Sequence, residues 1–545
     1  MKYIKQFNLT VMSLVTLLIA GSCMDSDINR NPFETTQEEM GRDNYNVGSK
    51  LKTLEGQVIP TQEHLYQFME AMCGGAYGGY FSDTHTGWIE KFSTYNPKSD
   101  WLEGAFSTIF TNTYPNYRNL MKLSDVPVPQ AIAKVLRVAI MQRTTDMFGP
   151  IPYSKIVVEG EAAALSSPYD SQDVIYKQMF KELDEADQAF EDNLTLAPDA
   201  LKKLDDVYYG DVEKWRKYLH SLQLRMAMRL CYVPEMKEEV QRIAEAAVTA
   251  GVITDNADNA LFHVAENRSA LCFNTWNDYR IGADILCYMN GYQDSRREKY
   301  FTMGKGNGKT DGTAGSKEGY YGIRIGTLPT GVTDDQLKSV YSNRLMTATD
   351  PYTWMTAAEV AFLRAEGALR GWAMGGKAKD LYEQGIALSF AQHGASGAEA
   401  YAADNSMVPA AYADPLGKYD TSAPSNIKIA WNTDTKADHF EENLERIITQ
   451  KWIAIYPLGI EAWSERRRTG YPKMLPIVDN KSSYSELTDI GIRRLQYPGS
   501  EYSLNGGHVE EAVDMLGGRQ NKHPSLVGLQ TEQLIESKTL KNKKI

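Results

Sequence analysis

The sequence contains little cysteine and little histidine, with 5 Cys and 8 His among 545 residues. The cysteines are irregularly spaced, so they provide neither a disulfide framework nor the CxxC pairs of a zinc site. The histidines form no HExxH motif, and no GxSxG motif marks a nucleophilic serine. His85 and Asp83 are the best neighbouring pair of ligand types, and a polar contact within a loop explains them more simply. We therefore expect no catalytic residues and no metal site.

Positive charge is also scarce, because 58 Lys and Arg stand against 70 Asp and Glu, a formal charge of −12. Proteins that bind the phosphate backbone need a cationic surface to displace counterions. The balance therefore argues against a nucleic-acid partner. Hydrophobic residues make up 42% and charged residues 23% of the chain, which is ordinary globular usage and excludes a wholly disordered protein.

Long apolar runs are confined to the N-terminus. Lys2 and Lys5 precede an apolar stretch at residues 9–20, which is too short to span a bilayer and ends in small residues directly before Cys23. This arrangement resembles a bacterial lipoprotein signal peptide over residues 1–22, with Cys23 as the lipidated residue. The alternative is an ordinary signal peptide with a chance cysteine. We expect residues 23–545 to form a single α-helical domain that begins with a flexible polar tether.

Apolar residues recur at helical spacing in several segments. Ile175, Met179 and Phe190 lie on one face of a predicted helix, and Asp211 is a plausible N-cap for another. Thr356 and Glu359 are expected to form a capping box before a helix that pairs with the next one in a tetratricopeptide-like hairpin. The pattern predicts a mostly α-helical fold with long irregular loops.

Three of these loops, at residues 76–101, 255–282 and 302–333, are rich in aromatic residues. Such rings can stack on sugar faces, and neighbouring polar groups can bond to hydroxyls. The candidate ligand-binding residues are Tyr77, Tyr80, Trp88, Tyr95, Asn96, Trp101, Trp276, Asp278, Tyr279, Arg280, Tyr320, Tyr321 and Arg324. The alternative is that each ring only anchors its own loop to the core.

Two structural questions stay open at this stage. Cys272 and Cys287 could form a disulfide in an exported protein, although buried free thiols are the simpler interpretation. No cofactor is expected, and a structural calcium ion within a loop is an open alternative.

Five segments together resemble the SusD/RagB family of nutrient-binding outer-membrane lipoproteins from Bacteroidetes. They are RTTDMFGPIPYS at 143–154, YYGDVEKWRKYLHSLQLRMAMR at 208–229, YTWMTAAEVAFLRAEGALRGW at 352–372, LYEQGIALSF at 381–390 and ITQKWIAIYPLGIEAWSERRRTGYP at 448–472. The resemblance implies a scaffold of tetratricopeptide-like hairpins with a loop-built binding face. It does not assign ligand-contacting residues, so the candidates above rest on the composition of the loops.

The resemblance also implies a function and a partner. A lipid-anchored protein at the cell surface would capture oligosaccharide and deliver it to a SusC-like TonB-dependent transporter of the outer membrane, without catalysis. A peptide ligand on the same fold is the first alternative. A surface glycoside hydrolase is a weaker one, because two carboxylates suffice for that chemistry and the sequence does not single out a pair. A lid that binds only the transporter is the last.

Overall fold

The computed structural model describes residues 45–123, 127–156, 167–194, 201–309, 315–434 and 438–516. The predicted signal peptide at residues 1–22, the lipidation site Cys23 and the tether lie outside these residues. The chain from Val47 onward belongs to one compact unit. None of the described helices is both long and apolar enough to cross a membrane.

Helices form most of the described structure, which confirms the predicted fold class. The longer ones are α1 Tyr45–Val58, α2 Ser99–Leu123, α3 Pro127–Phe148, α4 Gln172–Glu191, α5 Val212–Arg229, α6 Lys237–Ala250, α7 Ala357–Leu369, α8 Ala378–Gln392, α9 Phe440–Ala454, α10 Gly459–Thr469 and α11 Gly506–Met515. Shorter α-helices span Glu63–Tyr66, Gly75–Tyr77, Ala283–Gly291, Arg297–Tyr300, Asp334–Val340, Ala398–Ala402, Leu487–Ile490 and Gly499–Leu504. Gln67–Gly74 and Leu271–Thr275 are π-helical, and Phe92–Thr94, Pro234–Met236 and Asn256–Asp258 are 3₁₀-helical.

Amphipathic spacing explains why the predicted helices form. The stripe that includes Ile175, Met179 and Phe190 is fully buried on α4, as expected from its period. The carboxylate of Asp211 accepts a hydrogen bond from the Lys214 amide at 3.1 Å, which confirms the N-cap of α5.

Helices α7 and α8 form the predicted hairpin. Gly385 of α8 lies directly against Phe362 of α7, where an added Cβ would approach a ring atom to 2.8 Å. Thr356 caps α7 by accepting from the Glu359 amide at 3.2 Å. The reciprocal half of the expected capping box is absent, because the Glu359 carboxylate accepts two hydrogen bonds from Arg225 instead, at 2.8 and 2.7 Å.

That ion pair belongs to a buried network between α5, α7, α9 and α10. Arg229 of α5 pairs with Glu461 of α10 at 2.6 Å, and Lys451 of α9 lies 3.5 Å from the same carboxylate. Arg468 of α10 pairs with Glu366 of α7 at 2.6 Å. Charges this deep in a helical core need partners, so the network fixes how the four helices pack.

The network makes stability dependent on acid pH. Burial raises the pKa of Glu461, but the positive charges of Arg229, Arg225 and Lys451 outweigh burial and hold it at about 2, below the ordinary 4.5. A carboxyl whose pKa is lower in the folded state stabilises the fold above its unfolded pKa, and this contribution is lost as pH falls through the folded value. We therefore expect the midpoint temperature of thermal unfolding to decrease as the pH is lowered from 4.5 to 2. A midpoint that stays constant over this range in calorimetry would contradict the assignment.

Two short antiparallel strand pairs join distant parts of the chain. Strand β1 Phe81–Asp83 pairs with β3 Tyr279–Ile281, with Ser82 opposite Arg280. Strand β2 Ala260–Phe262 pairs with β4 Tyr352–Met355.

The cysteines in the described residues, Cys73, Cys231, Cys272 and Cys287, are buried free thiols. The possible Cys272–Cys287 disulfide is therefore not formed. Burial raises the pKa of Cys272 to about 12, which keeps this thiol protonated and unreactive at neutral pH.

Candidate functional site

Backbone pairing brings the three aromatic loops together. The β1–β3 pair links the first loop to the second, and the Gly282 amide donates to the Tyr80 carbonyl at 2.7 Å. The third loop joins them where the Ile323 amide donates to the Ile281 carbonyl at 2.8 Å. The three loops therefore share one region of the molecule.

Two cavities lie beside the first loop, and Tyr77 and Tyr95 line both of them. The Lys481 cavity has a volume of about 230 Å³, and its polar lining consists of Asn96, Lys481, Ser482, Ser483, Arg494 and Gln496 together with the tyrosines. The Asp284 cavity has a volume of about 250 Å³, and its polar lining includes Ser93, Asp284, Arg466, Thr488 and Asp489. Each is smaller than the roughly 300 Å³ at which ligand pockets begin, but two cavities that share a wall can accept one extended ligand.

Tyr95 occupies the wall between the cavities in an unusual backbone conformation. It follows the 3₁₀ turn Phe92–Thr94 with φ 66° and ψ 22°, the left-handed region that residues with side chains seldom adopt. Its ring packs edge-on against Tyr77 at 6.0 Å between centroids. Within the described part of the chain the Tyr95 hydroxyl makes no hydrogen bond, so it is available to a ligand. Strain of this kind costs on the order of 1–3 kcal/mol and collects at binding sites.

The opposite wall comes from residues 474–496, which lie outside the three aromatic loops named from the sequence. Its backbone is attached to the rest of the site, because the Lys481 amide donates to the Thr94 carbonyl at 2.9 Å. The Val478 and Asp479 amides both donate to the Gly326 carbonyl. Lysine, serine and glutamine in a loop show no periodicity, so no sequence pattern indicates that they line a cavity.

The Asp284 cavity contains one acidic group that is deeply buried. The Asp284 carboxylate accepts from the Leu475 amide at 2.7 Å, and burial raises its pKa. Arg466 lines the same cavity, half-buried, and its guanidinium reaches the Tyr77 carbonyl at 3.5 Å. This cavity therefore offers both a donor and an acceptor to a polar ligand.

Several candidate residues are core residues in the structure. Tyr80 is 0% exposed and stacks on Trp452 at 5.5 Å, while Tyr279 is a buried residue of β3. Arg280 is buried and donates to the Lys338 carbonyl at 2.7 Å. Arg324 is buried and donates to the Pro476 carbonyl. These four side chains anchor their loops to the core, as the alternative interpretation of the loop aromatics expected for the two tyrosines. None of the four can reach a ligand without displacement.

Asp278 is likewise buried and satisfied from within the protein. Its carboxylate binds His85 Nε2 at 2.7 Å and accepts from Gln67 Nε2 at 2.6 Å. Asp83, which seemed the natural partner of His85, pairs with Lys91 at 2.8 Å instead.

The other candidates lie outside the two cavities. Trp88 is half-buried, stacks on His85 at 4.1 Å and meets the buried Trp101 edge-on at 5.5 Å. Trp276 is half-buried against His64, with 5.2 Å between ring centroids.

In the third loop, Tyr320 and Tyr321 are also half-buried, and neither lines a cavity described above. Arg297 covers the Tyr320 ring at 4.4 Å, and the Tyr321 hydroxyl donates to the Lys317 carbonyl at 2.9 Å. Of the thirteen candidates, only Tyr77, Tyr95 and Asn96 line the cavities.

No group of three or more histidine, cysteine or carboxylate side chains in the described ranges is placed to hold a metal ion. We therefore propose no residues for a structural calcium ion.

Comparisons with known proteins give a consistent result. A family model described as "Susd and RagB outer membrane lipoprotein" matches residues 27–527. A SusD homologue from Bacteroides thetaiotaomicron VPI-5482 is similar at 59% identity and a TM-score of 0.82, with 88% of this chain and 96% of that chain covered. One from Bacteroides ovatus ATCC 8483 reaches 40% identity and 0.81 with the same coverage. A chitin-binding SusD homologue from Flavobacterium johnsoniae reaches 34% and 0.79, covering 87% and 96%. No curated protein matches the chain.

Proposed function

Because the chain belongs to the SusD-like family of outer membrane lipoproteins, a family of nutrient-binding proteins, we propose that it captures oligosaccharide at the two cavities around Tyr95. In this proposal the protein is anchored in the outer membrane by a lipid on Cys23 and faces the cell surface. It binds its ligand without turnover and delivers it to a SusC-like TonB-dependent transporter. The sequence pattern before Cys23 and the family description support the anchor.

The observation on which the ligand proposal rests is the shared tyrosine wall of the two cavities. Tyr77 and Tyr95 present flat apolar rings, and side chains such as Asn96 and Ser482 stand beside them as donors and acceptors. Pyranose rings combine an apolar face with a rim of hydroxyls, so this lining suits a sugar. A relative described as chitin-binding supports a glycan over a peptide.

The openness of the Lys481 cavity supports delivery of the ligand to the transporter. Lys481, Ser483 and Gln496 are exposed at the edge of the Lys481 cavity, so the site opens to solvent. A ligand held at an open site can be released to a barrel that covers it. We propose that the transporter docks over this face.

Replacing Tyr95 by alanine is expected to weaken oligosaccharide binding at least about tenfold. A stacked ring contributes on the order of 1.4 kcal/mol or more, and that energy equals a tenfold change in Kd. Calorimetric titration of wild type and Tyr95→Ala against a panel of oligosaccharides and peptides measures the change in Kd. The same samples are examined for hydrolysis of the oligosaccharide. Because Tyr95 is half-buried and strained, the variant should remain folded.

Trp276→Ala is the matched control, since Trp276 is a half-buried loop aromatic outside the cavities. It should bind like wild type. If Trp276→Ala loses binding and Tyr95→Ala does not, the ligand contacts the second loop and the cavities are not the site. Binding of peptides alone, or hydrolysis of the glycan, would support the alternatives instead.

A further inference from the structure

The Lys481 cavity has an uneven charge distribution. Lys481 and Arg494 contribute two cations to its lining, and no aspartate or glutamate lines it among the described residues. The protein as a whole carries an excess of acidic groups, with a formal charge of −12. The two cations favour a negatively charged ligand inside this cavity, although the overall charge of the protein is negative.

Arg494 is the unusual member of this lining, because it is buried without a carboxylate partner. The side chain is 3% exposed, and its Nη1 donates to the Leu495 carbonyl at 2.7 Å. The Nε–H group has no hydrogen-bond partner, and no described carboxylate lies within the 4.0 Å of an ion pair. Burial lowers the pKa of Arg494, as expected for a cation that has lost water and gained no countercharge.

Some other buried arginines of this protein are neutralised by a carboxylate, although Arg280 and Arg324 are buried without an ion pair to any described carboxylate as well. Arg468 and Arg296 are at least as buried as Arg494, and each forms an ion pair at 2.6 Å. By contrast, Arg493 and Arg466 next to the cavities form no ion pair with a described carboxylate either. Of the two cations that line the Lys481 cavity, Lys481 therefore has Asp479 at 3.9 Å, whereas Arg494 has no described carboxylate at ion-pair distance.

We propose that the Lys481 cavity binds an acidic substituent of the oligosaccharide, a carboxylate or a sulfate ester, against Arg494 and Lys481. This inference rests on the proposed function and names its ligand class. An oxyanion there supplies the countercharge that the buried Arg494 guanidinium lacks. Lys481 is exposed at the entrance of the cavity and lies 3.9 Å from Asp479. It provides a second cation that can turn toward the ligand.

The test compares sugars that differ only in the acidic group. The purified protein is titrated with matched oligosaccharides that are neutral, carboxylated as uronic acids, or sulfated, at low and at high salt. We expect one acidic form to bind at least about tenfold more tightly than the neutral one, because a hydrogen bond to a charged group is worth about that much. The preference should shrink as salt rises. The carboxylated and sulfated series tell the two anions apart.

Variants assign the preference to the cavity. Arg494→Gln should reduce the ratio of acidic to neutral affinity about tenfold, and Lys481→Gln, at an exposed position that tolerates substitution, should reduce it by a smaller factor. Arg268→Gln removes an exposed arginine paired with Glu63, away from the cavities, and should leave the ratio unchanged. Should Arg494→Gln fail to fold, the affinity ratio of Lys481→Gln and the salt series still show whether the acidic group binds in this cavity.

Equal affinity for neutral and acidic sugars would overturn this inference and leave the proposed function intact. An acidic preference that survives both substitutions would overturn the placement at this cavity. Absence of any sugar binding would overturn the inference and the proposed function together.

Discussion

Replacing Arg468 by methionine is expected to lower the free energy of unfolding by about 3–5 kcal/mol, the usual cost of removing one partner from a buried ion pair. Arg468 is 1% exposed, and its two Nη atoms donate to the Glu366 carboxylate at 2.6 Å each. It also donates to both oxygens of Glu465, at 3.1 and 2.6 Å. Methionine fills much of the space but leaves two buried carboxylates short of a partner.

Chemical denaturation measures the effect, and Lys379→Met provides the matched control. Lys379 pairs with Glu383 one turn along α8 at 3.2 Å, with side chains that are 45% and 36% exposed. Such surface pairs contribute about 0–1 kcal/mol, so the control should unfold like wild type. If Arg468→Met also unfolds within about 1 kcal/mol of wild type, the network does not stabilise the fold in the way its geometry implies.

The helices could be predicted because their information is local. The spacing of Ile175, Met179 and Phe190 places them on one face of α4 whatever surrounds it, and the cap at Asp211 needs only the next three residues. The Glu359 prediction was wrong in part for the opposite reason. The Glu359 carboxylate accepts a hydrogen bond from Arg225, 134 positions away, and not from the nearby backbone. The spacing of residues in the sequence does not predict a partner so far along the chain.

The binding site was less predictable because aromatic content does not separate surface from core. Tyr95 and Tyr80 belong to the same loop and have the same side chain, yet one lines both cavities and the other is fully buried. The difference is set by Trp452 of α9, which meets Tyr80 from a distant segment. The wall that contains Lys481 and Arg494 was not predicted because irregular loops lack the hydrophobic periodicity on which such predictions depend.

Tyr80→Ala is expected to destabilise the protein by about 3–5 kcal/mol, as deletion of a buried aromatic ring does. The ring is 0% exposed, stacks on Trp452 at 5.5 Å with 17° between planes and meets Tyr456 edge-on at 5.3 Å. Its hydroxyl donates to the Trp452 carbonyl at 2.5 Å. Alanine removes these contacts together and leaves a cavity between the first loop and α9.

Tyr80→Phe separates the ring from the hydroxyl. It keeps the stacking and loses one buried hydrogen bond, so the expected cost is only about 1 kcal/mol. Denaturation curves of both variants, followed by glycan titration of the folded Tyr80→Phe protein, distinguish an anchor from a ligand contact. An anchor changes stability and leaves Kd unchanged. A large loss of affinity in Tyr80→Phe, with little change in stability, would show that Tyr80 contacts the ligand and that the first loop opens when the ligand binds.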